Sequence, residues 1–133
     1  MTLPPLPLPG PDTAEFWAGC RRHELRIQRC AACGAPRFPP RPACPRCAGL
    51  AATWVPCSGR GAVYTWTVVH EPTLPAFRPL VPYAVGLVRL DEGVFMVGQI
   101  RGVAPEAIRV GLRVRVEFDD VTPEVTLPHW RVE

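Results

Sequence analysis

The sequence predicts a mainly β protein: an N-terminal helix, a small metal-stapled ribbon, and a C-terminal five-stranded barrel of the OB type. Three observations carry this. Two Cys-x-x-Cys pairs, Cys30/Cys33 and Cys44/Cys47, are separated by ten residues. Fifteen of the sixteen valines fall in residues 61–133, a composition that suits strands. That half also divides into five short strand-like runs with one helical turn between the third and fourth, the order of an OB barrel. With 133 residues, the chain has the size of one domain or one small domain with an appendage, since domains usually run to about 100–200 residues. The expected divisions are 1–24 (arm and helix), 25–60 (ribbon) and 61–133 (barrel).

Residues 1–11, with four prolines among the first nine, read as an extended polyproline-like arm, either unstructured or laid on a partner. They lack the basic start and helical apolar stretch of a signal peptide. No apolar run reaches the roughly 18–20 residues of a membrane span, so a cytoplasmic protein with reduced thiols and no membrane contact is expected. Residues 12–24 read as a helix. Asp12 is placed as N-cap, with Glu15 three residues on as in a capping box. Phe16, Trp17 and Cys20 form one apolar face, and Arg21-Arg22-His23 sit at the negative end of the dipole. Such a helix is too short to stand alone. It must pack on this chain or on another subunit, and Phe16 and Trp17, together with Trp130 near the far end of the chain, are the candidates for docking on a partner.

Residues 25–60 hold five of the six cysteines. Leu25–Arg29 alternates like a short strand, but the main large apolar side chains are only Phe38, Leu50 and Trp54. A segment this poor in apolar bulk needs a metal to fold. Each Cys-x-x-Cys forms a knuckle whose backbone amides can point at sulfur, with Gly34 and Gly49 after the pairs easing the turns. Two facing knuckles give a tetrahedral site with Cys30, Cys33, Cys44 and Cys47 as ligands. Thiolate softness favours zinc, with iron as the alternative. Four cysteines leave no open position for water, so the metal is structural. Cys20 reads as a small buried residue of the helix and Cys57 as a turn residue.

In the valine-rich half the strand candidates are 62–70, 83–90, 94–100, 112–118 and 124–130. Asp91-Glu92-Gly93 joins the second and third as a hairpin loop, and Pro105–Ile108 supplies the helical turn. Residues 112–118 alternate cleanly, with Leu112, Val114, Val116 and Phe118 inward. The last strand is the weakest.

All 15 basic residues are arginine, a bias read as GC-rich coding, and the net charge is +3. Residues 1–60 carry eight arginines against three acids, and residues 61–133 carry seven against nine. The chain lacks GxSxG, HExxH and Walker motifs, and Ser58 is its one serine. His23, His70 and His129 are read as surface or end-of-element residues, and Asp119-Asp120 as a solvated turn. No catalytic constellation is evident, so the chain is expected not to be an enzyme by itself. A single-stranded nucleic-acid-binding protein is the alternative, because Tyr64 and Trp66 share a strand face and can stack bases. The slightly acidic barrel argues against it, and packing at the ribbon–barrel junction explains both rings equally well.

Several stretches line up as one pattern. They include Glu15-Phe16-Trp17, Leu25-Arg-Ile-Gln-Arg-Cys30-Ala-Ala-Cys33-Gly34, Phe38-Pro-Pro-Arg41, Cys44-Pro-Arg-Cys47 and Trp54 through Val68. Pro82-Tyr83-Ala-Val, Leu90-Asp-Glu-Gly93 and Gly111 through Phe118 complete it. Over about residues 12–130 the chain resembles a bacterial and archaeal family with an N-terminal helix, a rubredoxin-like zinc ribbon and an OB fold. The resemblance implies a non-catalytic accessory subunit of a thiolase-superfamily enzyme: a thiolase, an acyltransferase or a steroid side-chain retro-aldolase. It also implies, for some members, a MaoC-type hydratase as partner, with acyl-CoA at the interface of the complex. Arg60 and Arg78 are the candidates for contact with the CoA phosphates.

Overall fold

The computed structural model describes residues 4–133. The helix, α1, spans Ala14–Arg21. Its start differs from the expected capping box. Thr13 precedes it, no side chain caps it, and the Thr13 hydroxyl instead accepts the Gly10 N–H at 2.9 Å. Glu15 is drawn away by Arg26, at 2.6 Å from Nη1. Tertiary packing holds the helix in place, with Phe16 and Cys20 buried.

The ribbon is a three-stranded antiparallel sheet. Its strands are β1 (Arg26–Cys30), β2 (Pro36–Arg37) and β3 (Ala52–Pro56), in the order β2-β1-β3. Five strands follow: β4 (Arg60–Val69), β5 (Tyr83–Leu90), β6 (Phe95–Arg101), β7 (Arg113–Asp120) and β8 (Thr126–Val132). They close into a barrel in the order β4-β5-β6-β8-β7, with β7 returning to β4. All pairings are antiparallel except β6 with β8. A closed ring leaves no open sheet edge. The expected helical turn lies at Pro105–Ala107, and a second, unexpected one spans Pro75–Leu80.

Val63, Val88, Leu90, Val114 and Trp130 fill the barrel. Trp130 fits because Gly98 faces it: a Cβ there would lie 2.8 Å from the indole Cδ1. Of the four residues expected inward on the strand 112–118, Leu112 lies just before β7 and Val114 is fully buried, while Leu112, Val116 and Phe118 are half-buried and pack against the core. Asp119 and Asp120 end a strand and do not form a solvated turn. Asp120 accepts from the Thr126 hydroxyl at 2.6 Å and pairs with His23 at 2.9 Å.

Candidate functional site

The first knuckle turns at Gly34, with φ of 75°. In the second, the left-handed residue is Ala48, at φ 62°, and not Gly49. Gly49 has a different use: a Cβ there would press to 3.2 Å from Cys47 Sγ. The two knuckles bring the sulfurs of Cys30, Cys33, Cys44 and Cys47 within 4.8 Å of one another. Cys30 and Cys47 lie 3.5 Å apart, and Cys33 and Cys44 lie 3.7 Å apart. A tetrahedral ion with bonds of about 2.3 Å to sulfur sets sulfur–sulfur separations of about 3.8 Å, so the spacing fits one metal. The N–H groups of Cys33, Arg46 and Gly49 point at the sulfurs of Cys30, Cys44 and Cys47.

These amides prepare the charge. The N–H groups of Cys33 and Ala32 pull the Cys30 thiol down to about 6. Those of Cys47 and Arg46 likewise lower Cys44. At Cys47 the Gly49 N–H also acts downward, but the neighbouring sulfurs of Cys30 and Cys33 outweigh it and push the thiol up to about 11. Without a cation the cluster resists full ionisation, and a bound dication would remove that repulsion. Cys20 stays outside this chemistry, fully buried and with its thiol pushed by burial to about 12. Cys57 donates to the Leu25 carbonyl at 3.2 Å.

A cleft of about 430 Å³ opens where helix, ribbon and barrel meet. Trp17 from α1, Phe38 from the ribbon, Phe77 and Leu80 from the turn after β4, Tyr83 and His129 are among its walls. Sequence reasoning singled out only Trp17 and Phe16 here. The other walls come from separate segments that only barrel closure brings together, so no spacing signals them. His129 was expected at a surface or an element end. It lies inside β8, and neither ring nitrogen has a hydrogen-bond partner among the described residues. Burial, and then Arg101, lowers its pKa, against the opposing pull of Asp119, 3.7 Å from Nε2.

The expected partner-binding residues separate. Trp17 is half-buried at the cleft. Phe16 is 5% exposed beneath Trp17 and Phe38, with ring centroids 5.0 and 5.3 Å away. Trp130 is 2% exposed inside the barrel. The docking expectation for Phe16 and Trp130 is thus corrected: both rings are spent on the chain's own core. Pro7 and Pro9 of the arm border a small cleft with Trp17 and Glu124–Thr126, so this part of the arm folds back on its own chain. Arg60 and Arg78 do not converge. Arg60 opens β4 and Arg78 lies in the turn beyond its other end, and a ten-residue strand is about 30 Å long. Tyr64 rests edge-on against Phe95 at 5.1 Å, and Trp66 borders a shallow groove with Val85, Leu87 and Val97. Both rings therefore belong to the barrel wall and not to the ribbon–barrel junction.

Two family models match this architecture. The ChsH2 rubredoxin-like zinc ribbon domain matches residues 17–51, and the ChsH2 C-terminal OB-fold domain matches residues 54–119. A probable enoyl-CoA hydratase alpha subunit from Thermomonospora curvata is 40% identical over 97% of the chain. The 3-oxo-4,17-pregnadiene-20-carboxyl-CoA hydratase alpha subunit of Mycobacterium tuberculosis is 42% identical over 90% of it. The chain spans only 40% and 37% of the length of these two relatives. The benzoylsuccinyl-CoA thiolase subunit BbsA of Thauera aromatica is 32% identical over 74% of the chain and 66% of its own length. A solved structure described as the Ltp2-ChsH2(DUF35) aldolase superposes with a TM-score of 0.86 at 40% identity, covering 95% of this chain and 98% of that one. Among the described residues no helix is long and apolar enough to cross a membrane.

Proposed function

Because the chain belongs to the ChsH2-type DUF35 family of zinc-ribbon and OB-fold proteins, we propose that it is a non-catalytic accessory subunit of a thiolase-like enzyme acting on an acyl-CoA. The observation that carries this reading is the aromatic cleft at the junction of helix, ribbon and barrel. Aromatic side chains with one wet face dominate interface energetics, and Trp17 is such a residue. The names of the relatives support it: one is a thiolase subunit, and the similar solved structure is an aldolase of two named components. In this role the chain supplies an apolar wall that excludes water, while the partner supplies the reacting groups. Zinc is the metal proposed for the four cysteines. It keeps the ribbon folded, and Phe38 of the ribbon forms part of the cleft.

A second reading is favoured by the two hydratase alpha subunits among the relatives: the partner is a MaoC-type hydratase. Mixing the chain with a thiolase-like protein and with a hydratase encoded beside it separates the two on size exclusion. Co-elution with the thiolase-like protein, together with a change in its acyl-CoA turnover, is the expected result. Separate elution with unchanged turnover overturns the first reading, and conversion of an acyl-CoA by this chain alone overturns the accessory role.

A further inference from the structure

Strand register sets four arginines in one row across the outer wall of the barrel. Arg60 on β4 pairs with Arg115 on β7, Arg115 with Arg131 on β8, and Arg131 with Arg101 on β6. Residues directly opposed across strands share a face, with Cβ atoms about 5 Å apart, so the row spans about 15 Å. Like charges directly opposite destabilise a sheet, and the row therefore needs counter-charge. That counter-charge is uneven. Glu117 reaches Arg131 at 3.1 Å and Arg101 at 3.8 Å, and Asp119 reaches Arg101 at 3.6 Å. At the other end, among the described residues, Arg60 has only the Glu133 carboxylate within 4.0 Å, at 3.5 Å. Among the described residues Arg115 pairs with no carboxylate within 4.0 Å. Arg60 and Arg115, with Val132 and Glu133, wall a cleft of about 320 Å³.

We infer that the Arg60–Arg115 cleft is a binding site for a phosphoryl group, either a terminal phosphate or a diphosphate. Guanidinium presents a planar fork that grips phosphate oxygens in pairs, and two forks side by side suit a compact dianion. An extended polyanion fits poorly, because its further charges would meet Glu117 and Asp119 along the row. Glu133 is the built-in competitor, which an incoming phosphate displaces from Arg60. The site lies outside the aromatic cleft, since none of its residues lines it; a nucleotide ligand rests on the acyl-CoA reading, which offers Arg60 to the CoA phosphates, and a free phosphate does not.

The test titrates the metal-loaded full chain with pyrophosphate and, separately, with adenosine 3′,5′-bisphosphate at low ionic strength. Arginine side-chain N–H signals report binding. Saturable shifts at Arg60 and Arg115 are expected. Arg115→Gln and Arg60→Gln should each weaken binding about tenfold or more, while Arg89→Gln, outside the row, leaves it unchanged. Glu133→Gln should tighten binding, which a merely solvated arginine would not show. Much tighter binding of the bisphosphate assigns the phosphate to a nucleotide, and equal affinities assign it to a free phosphate; either supports the site. An absence of saturation at millimolar ligand, or an Arg115→Gln variant that binds like the parent, overturns it.

Discussion

The ribbon and the barrel become ordered by different physical means. The barrel closes a ring of strands around Val63, Val88, Val114, Ile100 and Trp130, all buried. The ribbon places polar groups in its interior: Gln28 and Arg37 are 8% and 4% exposed. Gln28 Oε1 accepts both from Arg37 Nε at 3.0 Å and from the Arg41 N–H at 2.8 Å. A buried guanidinium with one nitrogen unpartnered among the described residues adds little to stability. Burial alone cannot order such a segment, and the four-sulfur cluster supplies the missing constraint. One region is therefore fixed by a short local motif and the other by register over the whole chain.

The largest test of that contrast removes the metal. Cys33→Ser, or a strong chelator, should abolish metal binding and disorder β1–β3, because structural zinc contributes about 10–16 kcal/mol to folding in small sites. The barrel amides should keep their dispersion in NMR spectra, and elemental analysis should find the metal gone. Protons compete for the same sulfurs, so affinity should fall as pH falls. A barrel that unfolds with the ribbon would break the distinction.

The converse test is Val114→Asp. Val114 is fully buried, and an unpaired carboxylate there costs several kcal/mol. The barrel's cooperative thermal transition should be lost while one equivalent of zinc stays bound. Loss of the zinc in the same variant would show that the ribbon depends on the barrel.

These regions also differ in how much of them was legible in the sequence. The cysteine ligands could be read because spacing alone brings them together. The barrel order could be read because its strands carry their own apolar patterns, and residues 83–90 match β5 end to end. Most of what escaped depends on partners distant in sequence. β2 escaped for a different reason: it is two residues long, too short to carry an apolar pattern of its own, and pairs locally with β1. The inward face of β8 is Thr126, Pro128, Trp130 and Val132, with Thr126 buried on its bond to Asp120; that mixture hides a core strand. Trp130 consequently looked like a surface anchor until β8 inserted between β6 and β7. Phe16 was misjudged for the same reason, since Phe38 covers it from 22 positions away.

A smaller effect separates the two tryptophans. Trp130→Ala should lower folding stability by about 3–5 kcal/mol, as for other large core truncations. Trp17→Ala should leave folding and zinc content nearly intact, yet weaken the proposed complex by about 2 kcal/mol or more, as interface hot spots do. Calorimetry of folding and of binding gives the two numbers separately. Equal folding losses for both variants would make Trp17 a core residue and empty the cleft of its docking role.

The smallest expected effect lies at the seam between the regions. His23, just past α1 at φ 58°, stacks on Phe118 of β7 with ring centroids 5.1 Å apart. Its Nε2 lies 2.9 and 3.1 Å from the two oxygens of Asp120. The Thr126 hydroxyl, and then His23, hold the Asp120 carboxyl below its usual range. A carboxyl lowered in the folded state stabilises above its unfolded pKa, and that contribution is lost as pH falls through the folded value. The seam should therefore loosen in acid, below about pH 4. Both side chains are about half exposed, at 50% and 60%, so solvent screening keeps the contribution small. His23→Ala should accordingly lower the thermal midpoint least among these variants. Its specific signature is local: amide exchange in α1 should quicken while β1 and the barrel strands keep their protection. If β7 and β8 lose protection together with α1, the helix is part of the barrel's cooperative unit, and the boundary between the two regions moves to the far side of α1.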